Sequence, residues 1–133
     1  MSDDATLTEA DISAIRAITD AFSGHMEGDR SGIGSLYTED AVLMPGGAPA
    51  IQGRDAIREF MGGFPPVKKF DLSIDEIDGR GDLAFVRGPF VMTMEPEGAP
   101  APVKMVGKYI EIRQRQADGS WLITRDIFNT DAS

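Results

Sequence analysis

The spacing of apolar residues changes near residue 66, and this change limits the possible folds more than any other feature of the sequence. Before that point apolar residues recur every three or four positions, as on one face of a helix, and after it they alternate with polar residues, as in strands. Helices followed by strands predict an α+β fold in which helices cover one face of a sheet. We expect the 133 residues to form one domain, 1–133.

Three helices are predicted in the first half of the chain. The first begins at Thr8, which can form a capping box with Asp11, and ends near Gly28. Asp29 can cap a short second helix. The segment "GRDAIREFM" has the spacing of a third helix, which the following glycines and prolines end.

Five strands are predicted, most of them antiparallel because the connections between them are short. The first, "EDAVLM", is brief, is expected at a sheet edge, and ends in a sharp turn at Met44 and Pro45. Gly88 and Pro89 interrupt a later strand, which predicts a β-bulge and a strongly curved sheet. The four later strands are "FDLSIDEI", "LAFVRGPFVMTM", "VKMVGKYIEIRQRQ" and "WLITRDIFNT".

The composition excludes several classes of function. Thirteen basic and twenty-two acidic residues give a net charge of −9, which disfavours nucleic acids and membrane surfaces as partners. With no cysteine and one histidine, disulfides, thiol nucleophiles and multi-histidine metal sites are excluded. No glycine fingerprint follows a strand, so we expect no cofactor. An acidic N-terminal segment and the lack of a long apolar run predict a cytoplasmic protein.

Several segments together resemble the nuclear transport factor 2-like superfamily, and within it the SnoaL-like, ketosteroid-isomerase-like and DUF4440 branch. They are "LYTEDAV" with its proline/glycine loop, "IQGRDAIREFM", and the ending "KYIEIRQRQADGSWLITRDIFNTD". The resemblance implies a cystatin-like cone, in which a strongly curved, mostly antiparallel sheet and three N-terminal helices enclose an apolar cavity. It also implies a dimer. A shared fold does not by itself determine the reaction.

The residues that carry out steroid isomerisation in that branch are changed in this chain. Aligned on the shared motifs, the carboxylate base falls at Met44, the oxyanion tyrosine at Ala21 and the protonated acid at Lys108. The known mechanism needs all three groups. We therefore expect the cavity to be present without steroid isomerisation by that route.

Strand alternation, together with the resemblance, predicts which side chains line the cavity. The candidates for acid/base chemistry are Lys108 and Asp126 on neighbouring strands, and His25 at the edge of the first helix's apolar stripe. The expected substrate-binding residues are Tyr37, Met44, Phe60, Phe90, Met92, Val106 and Phe128.

Each polar candidate also has a structural interpretation. A histidine at a stripe edge is often a hydrogen-bonded structural residue. A shift of one residue in strand register would turn Lys108 to solvent and place Tyr109 inside. Asp126 can instead form a surface ion pair with a neighbouring arginine.

Two functions remain open on the sequence. The first is a cofactor-independent isomerase or cyclase acting on a small apolar carbonyl compound, and the second is a non-catalytic ligand-binding or association module. Two or more ionisable groups within hydrogen-bonding distance along the cavity would favour the first. The remaining strand residues form an apolar outer face that predicts a homodimer. They are Phe85, Val91, Tyr109, Trp121, Ile123 and Ile127.

Overall fold

The computed structural model describes residues 5–132, which form three helices and seven strands. The helices are α1 (Glu9–Glu27), a 3-10 helix (Arg30–Leu36) and α2 (Arg54–Gly62). The strands are β1 (Tyr37–Pro45), β2 (Ile51–Gln52), β3 (Val67–Leu72), β4 (Glu76–Arg80), β5 (Leu83–Met94), β6 (Val103–Arg115) and β7 (Trp121–Thr130). No helix in this part of the chain is long and apolar enough to span a membrane.

Two of the three predicted helices begin with the expected caps. The Thr8 N–H donates to Asp11 Oδ2 at 2.9 Å, and the Asp11 N–H donates to Thr8 Oγ1 at 3.1 Å, which completes the capping box of α1. Asp29 Oδ1 accepts a hydrogen bond of 3.0 Å from the Ser31 N–H and so caps the second helix. That second helix is of the 3-10 type throughout its seven residues.

The strands form one mixed sheet in the order β2-β1-β7-β6-β5-β3, and β4 pairs with the opposite end of β5 from β3. Every pair is antiparallel except β1 with β7, which is parallel. The expectation of β1 at the edge is wrong, because the two-residue β2 lies outside it. The single strand predicted for "FDLSIDEI" is two strands, β3 and β4.

The bulge predicted at Gly88 and Pro89 is also wrong. Pairing between β5 and β6 continues without interruption through both residues, with Gly88 opposite Tyr109. Gly88 instead permits a close approach of the β3–β4 connection: the Ser73 N–H donates to the Pro89 carbonyl at 3.1 Å, and a Cβ at Gly88 would overlap the Ser73 carbonyl.

A bulge that the sequence did not predict lies in β7. Ile112 pairs with Arg125 while its neighbour Arg113 pairs with Ile123, which leaves Thr124 as an extra residue in β7. A bulge of this kind reverses the alternation of side chains along the strand.

The reversal at Thr124 directs two sets of β7 residues to the same side of the sheet. Trp121 and Ile123 precede it and are fully buried in the core, whereas Asp126 and Phe128 follow it and face a cavity between the helices and the sheet. Two residues expected on the outer face, Trp121 and Ile123, are therefore core residues, and so is Tyr109 on β6.

The first helix is fixed to the sheet by a buried arginine. Arg113 projects from β6, is fully buried, and donates from Nη1 to the Ile15 carbonyl at 3.0 Å and from Nη2 to Thr19 Oγ1 at 2.8 Å. At the C-terminal end of α1, Glu27 Oε2 accepts a hydrogen bond of 2.7 Å from the Phe70 N–H on β3. Together these contacts position α1 across the inner face of the sheet, where it forms one wall of the cavity.

Candidate functional site

A small cavity of about 40 Å³ lies between the helices and the inner face of the sheet. Its walls are apolar except for two carboxyl groups, which belong to Glu111 on β6 and Asp126 on β7. The lining residues are Phe22, Met26, Met61, Phe64, Phe70, Leu72, Phe90, Met92, Met105, Tyr109, Glu111, Asp126 and Phe128. We call this space the inner cavity.

Asp126 is a buried carboxyl group bonded to a buried tyrosine. The side chain of Tyr37 is fully buried, and its hydroxyl donates to Asp126 Oδ2 at 2.8 Å. Burial, and next the charge of Glu111, raise the pKa of Asp126 well above its usual value, whereas the Tyr37 hydrogen bond and Arg113 act in the opposite direction. Burial also raises the pKa of Tyr37, so the tyrosine remains a hydrogen-bond donor. Burial therefore shifts Asp126 toward its neutral form.

Glu111 has a permanent cation as its partner. Arg113 donates to Glu111 Oε1 from Nε at 2.9 Å and from Nη2 at 2.7 Å, and both side chains are almost completely buried. Both bonds end at Oε1, so Oε2 of Glu111 has no bond to Arg113 and is the oxygen available on the cavity side. Since arginine keeps its proton in proteins, Glu111 has a buried cation beside it.

The two acidic residues lie directly opposite each other in the sheet. Glu111 and Asp126 are Cα partners across β6 and β7, a position in which Cβ atoms are about 4.5–5.5 Å apart. One cation, Arg113, balances one carboxylate, so a second negative charge at Asp126 would be uncompensated in an apolar interior. Neighbouring acids with such different surroundings are typical of a general acid and a general base.

Tyr109 contributes a wall of the inner cavity and fixes the β3–β4 connection. Its hydroxyl donates to the Ser73 carbonyl at 2.7 Å, on the side of β5 where Gly88 leaves space. Burial, and next the charge of Glu111, raise the pKa of Tyr109 above its ordinary value. The hydroxyl is thus a structural donor.

A second, wider cavity opens beside the inner one. It has a volume of about 560 Å³ and lies at the ends of β1 and β7. Three residues, Phe64, Met105 and Phe128, line both spaces and separate them. The lining residues of this outer bowl are Pro45, Gly46, Gly47, Ala48, Phe60, Phe64, Met105, Phe128, Asn129, Thr130, Asp131 and Ala132.

Several predicted site residues lie at these cavities. Asp126, Phe90, Met92 and Phe128 line the inner cavity, and Phe60 lines the outer bowl. Tyr37 reaches the site through its bond to Asp126.

The placement expected for Lys108 and Val106 is wrong. The side chain of Lys108 is 59% exposed and its Nζ lies 3.0 Å from Asp131 Oδ1, in a surface ion pair. Val106 is 43% exposed. The odd-numbered residues of β6 face the interior, so Tyr109 and Glu111 occupy the positions expected for their even-numbered neighbours.

His25 and Met44 also lie away from the inner cavity. His25 packs against Gly32 near the end of α1, with Nδ1 3.3 Å from the Asp29 carbonyl, which is the structural alternative for this residue. Met44 pairs with Ile127 and shares its outward direction, whereas Leu43 beside it is buried in the core.

The sequence reasoning missed Glu111 and Arg113. Their i, i+2 spacing places both on one face of β6, and the opposite charges allow them to be buried together. The i, i+2 spacing of two opposite charges in a strand is the sequence signal that could have identified this buried pair. Among residues 5–132, no group of three or more histidine, aspartate or glutamate side chains is arranged to hold a metal ion.

An open mixed sheet with three helices on one face is the cystatin-like fold of a solved nuclear transport factor 2-like protein. Residues 15–124 match the model of the SnoaL-like domain, and the chain belongs to that family. The predicted family and its cystatin-like fold are thereby confirmed. No curated protein sequence matches the chain.

Solved structures show the same fold. A ketosteroid isomerase-like protein from Erwinia carotovora atroseptica is 24% identical with a TM-score of 0.73, covering 93% of this chain and 95% of that one. A conserved protein from Planctomyces limnophilus is 22% identical with a TM-score of 0.80, and the match covers 92% of this chain and 97% of that one. An NTF2-like protein with a cystatin-like fold from Novosphingobium aromaticivorans is 21% identical with a TM-score of 0.69, and the match covers 92% of this chain and 84% of that one.

Proposed function

We propose that this protein is a cofactor-independent acid/base catalyst that moves a proton on a small, largely apolar carbonyl compound, as an isomerase, cyclase or lyase does. One observation carries the proposal: Glu111 and Asp126 face each other in one apolar cavity, the first paired with Arg113 and the second with Tyr37. Two hydrogen-bonded ionisable pairs at one cavity favour chemistry over passive binding.

The two carboxyl groups have different roles in this proposal. Oε2 of Glu111 removes a proton from the carbon next to the substrate carbonyl, and the C–H electron pair becomes the C=C bond of an enol. Asp126 donates its proton from Oδ1 to the carbonyl oxygen. In a substrate with a second C=C bond next to that carbon, the product of this step is a dienol. Return of the proton from Glu111 to the far end of the dienol, and of the enol proton to Asp126, shifts the C=C bond and restores both groups.

The neighbours of the two carboxyl groups support these roles. Arg113 gives the Glu111 carboxyl group a buried cationic partner, and the bonds of Arg113 to Ile15 and Thr19 on α1 hold it in place. The Tyr37 hydroxyl stabilises the negative charge that Asp126 acquires after it donates. The apolar walls exclude water, which strengthens both interactions.

Hydrogen–deuterium exchange on simple ketones tests the proposal. The protein is incubated with cyclohexanone or 2-pentanone in D₂O, and loss of the α-proton signal is followed by NMR. We expect exchange above the buffer rate, with Glu111→Gln and Asp126→Asn each lowering it by about a hundredfold or more. Lys108→Met is the control, because this exposed residue lies outside the cavity. Unchanged exchange in both carboxyl variants, with folding verified by circular dichroism, would contradict the proposal.

A non-catalytic ligand-binding or association module is the second candidate. The observation that favours it is that the inner cavity, about 40 Å³ against about 300–1,000 Å³ for typical small-molecule sites, has no room for a whole substrate beside the two carboxyl groups. Ketone binding without any exchange would select this alternative.

We also propose that the protein forms a homodimer through the outer face of the sheet. Ile127 pairs with Ile110 on one side and with Met44 on the other, and Val91 pairs with Val106. These pairs form apolar rows across the sheet, and Ile110, Ile127 and Val106 are each more than 40% exposed. An apolar surface of this kind fits a second copy of the chain better than solvent.

A further inference from the structure

We propose that the outer bowl is a second binding subsite, which holds the apolar distal part of an elongated ligand whose carbonyl end reaches Glu111 and Asp126. This inference rests on the proposed function, since the acid/base pair fixes which end of the ligand enters the inner cavity. It assigns the ligand class: a ketone or aldehyde with an apolar chain or ring system longer than the inner cavity can hold.

The volumes of the two spaces are the first argument. The inner cavity, about 40 Å³, has room for no more than a few atoms or water molecules. The outer bowl, about 560 Å³, lies within the range of small-molecule sites. A ligand that reaches the carboxyl groups therefore has most of its volume outside the inner cavity.

The connection between the two spaces is the second argument. Phe64, Met105 and Phe128 form both the outer wall of one and the floor of the other. All three are only half-buried, and Met105 has a flexible unbranched side chain that can adapt to an occupant. The route from the bowl to Asp126 follows β7 directly, because Phe128 and Asp126 lie on the same face two residues apart.

The chemistry of the bowl is the third argument. Much of its wall is apolar, with Phe60 from α2 and Pro45 and Ala48 from the β1–β2 connection. Two polar groups at its rim already have partners: Thr130 Oγ1 donates to the Ala132 carbonyl at 2.8 Å, and Asp131 is paired with Lys108. Such a surface suits an apolar chain and lacks a buried cation that would select an anionic tail.

Binding of a homologous series of ligands tests the inference. The dissociation constants of straight-chain 2-ketones from 2-butanone to 2-undecanone are measured by calorimetry. For the native chain we expect affinity to rise by up to about fourfold for each added CH₂ group that enters the bowl. No rise with chain length would overturn the inference.

Two variants and a matched control locate the effect. Ala48→Trp fills the bowl from the β1–β2 connection and Thr130→Trp fills it from β7, whereas Ala50→Trp adds the same side chain to an exposed residue outside its lining. We expect the first two variants to lose the increase in affinity with chain length for long ketones and to bind short ketones as the native chain does. We expect Ala50→Trp to bind ketones of every length as the native chain does. Unchanged affinity for long ketones in both bowl variants would overturn the inference.

The failure of this subsite and the failure of the proposed function give different results. If Ala48→Trp and Thr130→Trp have no effect while Asp126→Asn and Glu111→Gln lose α-proton exchange, the subsite is wrong and the acid/base function holds. If the bowl variants abolish the gain for long ketones while both carboxyl variants keep native exchange, the bowl is a binding site and the acid/base function is wrong.

Discussion

Glu111 on β6 and Asp126 on β7 are Cα partners in the sheet, and both of their carboxyl groups line the same apolar cavity. Only Glu111 forms a salt bridge, through Arg113, while Asp126 accepts its hydrogen bond from Tyr37. The difference between these two partners underlies the proposed division into base and acid. It also gives the protein a measurable dependence of stability on pH.

Asp126→Asn is expected to become more stabilising, relative to the native chain, as the pH rises. Because burial raises the pKa of Asp126 in the folded state, the native chain retains a proton that the unfolded chain releases above about pH 3.8. This carboxyl group therefore lowers the free energy of unfolding by up to about 1.4 kcal/mol per pH unit between that value and the folded-state pKa. Asparagine has no such proton to lose.

Urea unfolding of both proteins from pH 4 to pH 9 measures this difference. Asp131→Asn serves as the control, since its exposed pair with Lys108 is expected to contribute less than about 1 kcal/mol. A constant difference between Asp126→Asn and the native chain over the whole range would show that Asp126 titrates normally.

Arg113→Met is expected to lower the free energy of unfolding by about 3–5 kcal/mol, because it leaves Glu111 buried without its cation. The double variant Glu111→Leu, Arg113→Met removes both charges and is expected to be more stable than Arg113→Met alone. Chemical denaturation of the two variants and of the native chain provides the comparison. Equal stability of the single and double variants would mean that the lost bonds to α1, rather than the unpaired charge, dominate.

Alanine substitutions at two glycines are expected to have opposite effects. Gly24 lies within α1 with open space around it, so Gly24→Ala is expected to raise stability by about 0.5–1 kcal/mol. Gly88→Ala places a methyl group against the Ser73 carbonyl and is expected to lower stability by about 2–3 kcal/mol. Thermal unfolding measures the stability of both variants. A Gly88→Ala variant as stable as the native chain would mean that the β3–β4 connection moves freely.

Ile127→Glu is expected to convert the proposed dimer to a monomer, because it places a charge at the centre of the apolar rows. Val103→Glu is the matched control: Val103 is 46% exposed, like Ile127 at 42%, but it lies on the opposite side of the sheet. Light scattering at micromolar concentration measures the mass. A native chain that already has the 14.3 kDa mass of one copy would contradict the dimer.

The helix starts and the family were predictable because they depend on residues close together in the sequence. Thr8 and Asp11 form a capping box through contacts three residues apart, and the short connections fix the strands as antiparallel neighbours. The motifs of the SnoaL-like family extend over most of the chain, so its fold was also predictable.

The face of β6 that lines the cavity was not predictable from its composition. The even-numbered residues include Val106, Ile110 and Ile112, which are more apolar than Glu111 and Arg113 on the other face. Hydropathy therefore favours the wrong face. Burial of Glu111 and Arg113 is possible only because their charges compensate each other and α1 supplies further acceptors, and the outer face keeps its apolar residues exposed.

The sequence alone determined the helices, most of the strands and their order, and the kind of cavity that they enclose, because local spacing and capping carry that information. The tertiary structure decided which side chains reach the cavity. The bulge at Thr124 reverses the alternation of β7 and brings Asp126 opposite Glu111, and a one-residue change in pairing register has no local signature. The pairing of two strands, with the helix packed across them, therefore selects the acid and the base.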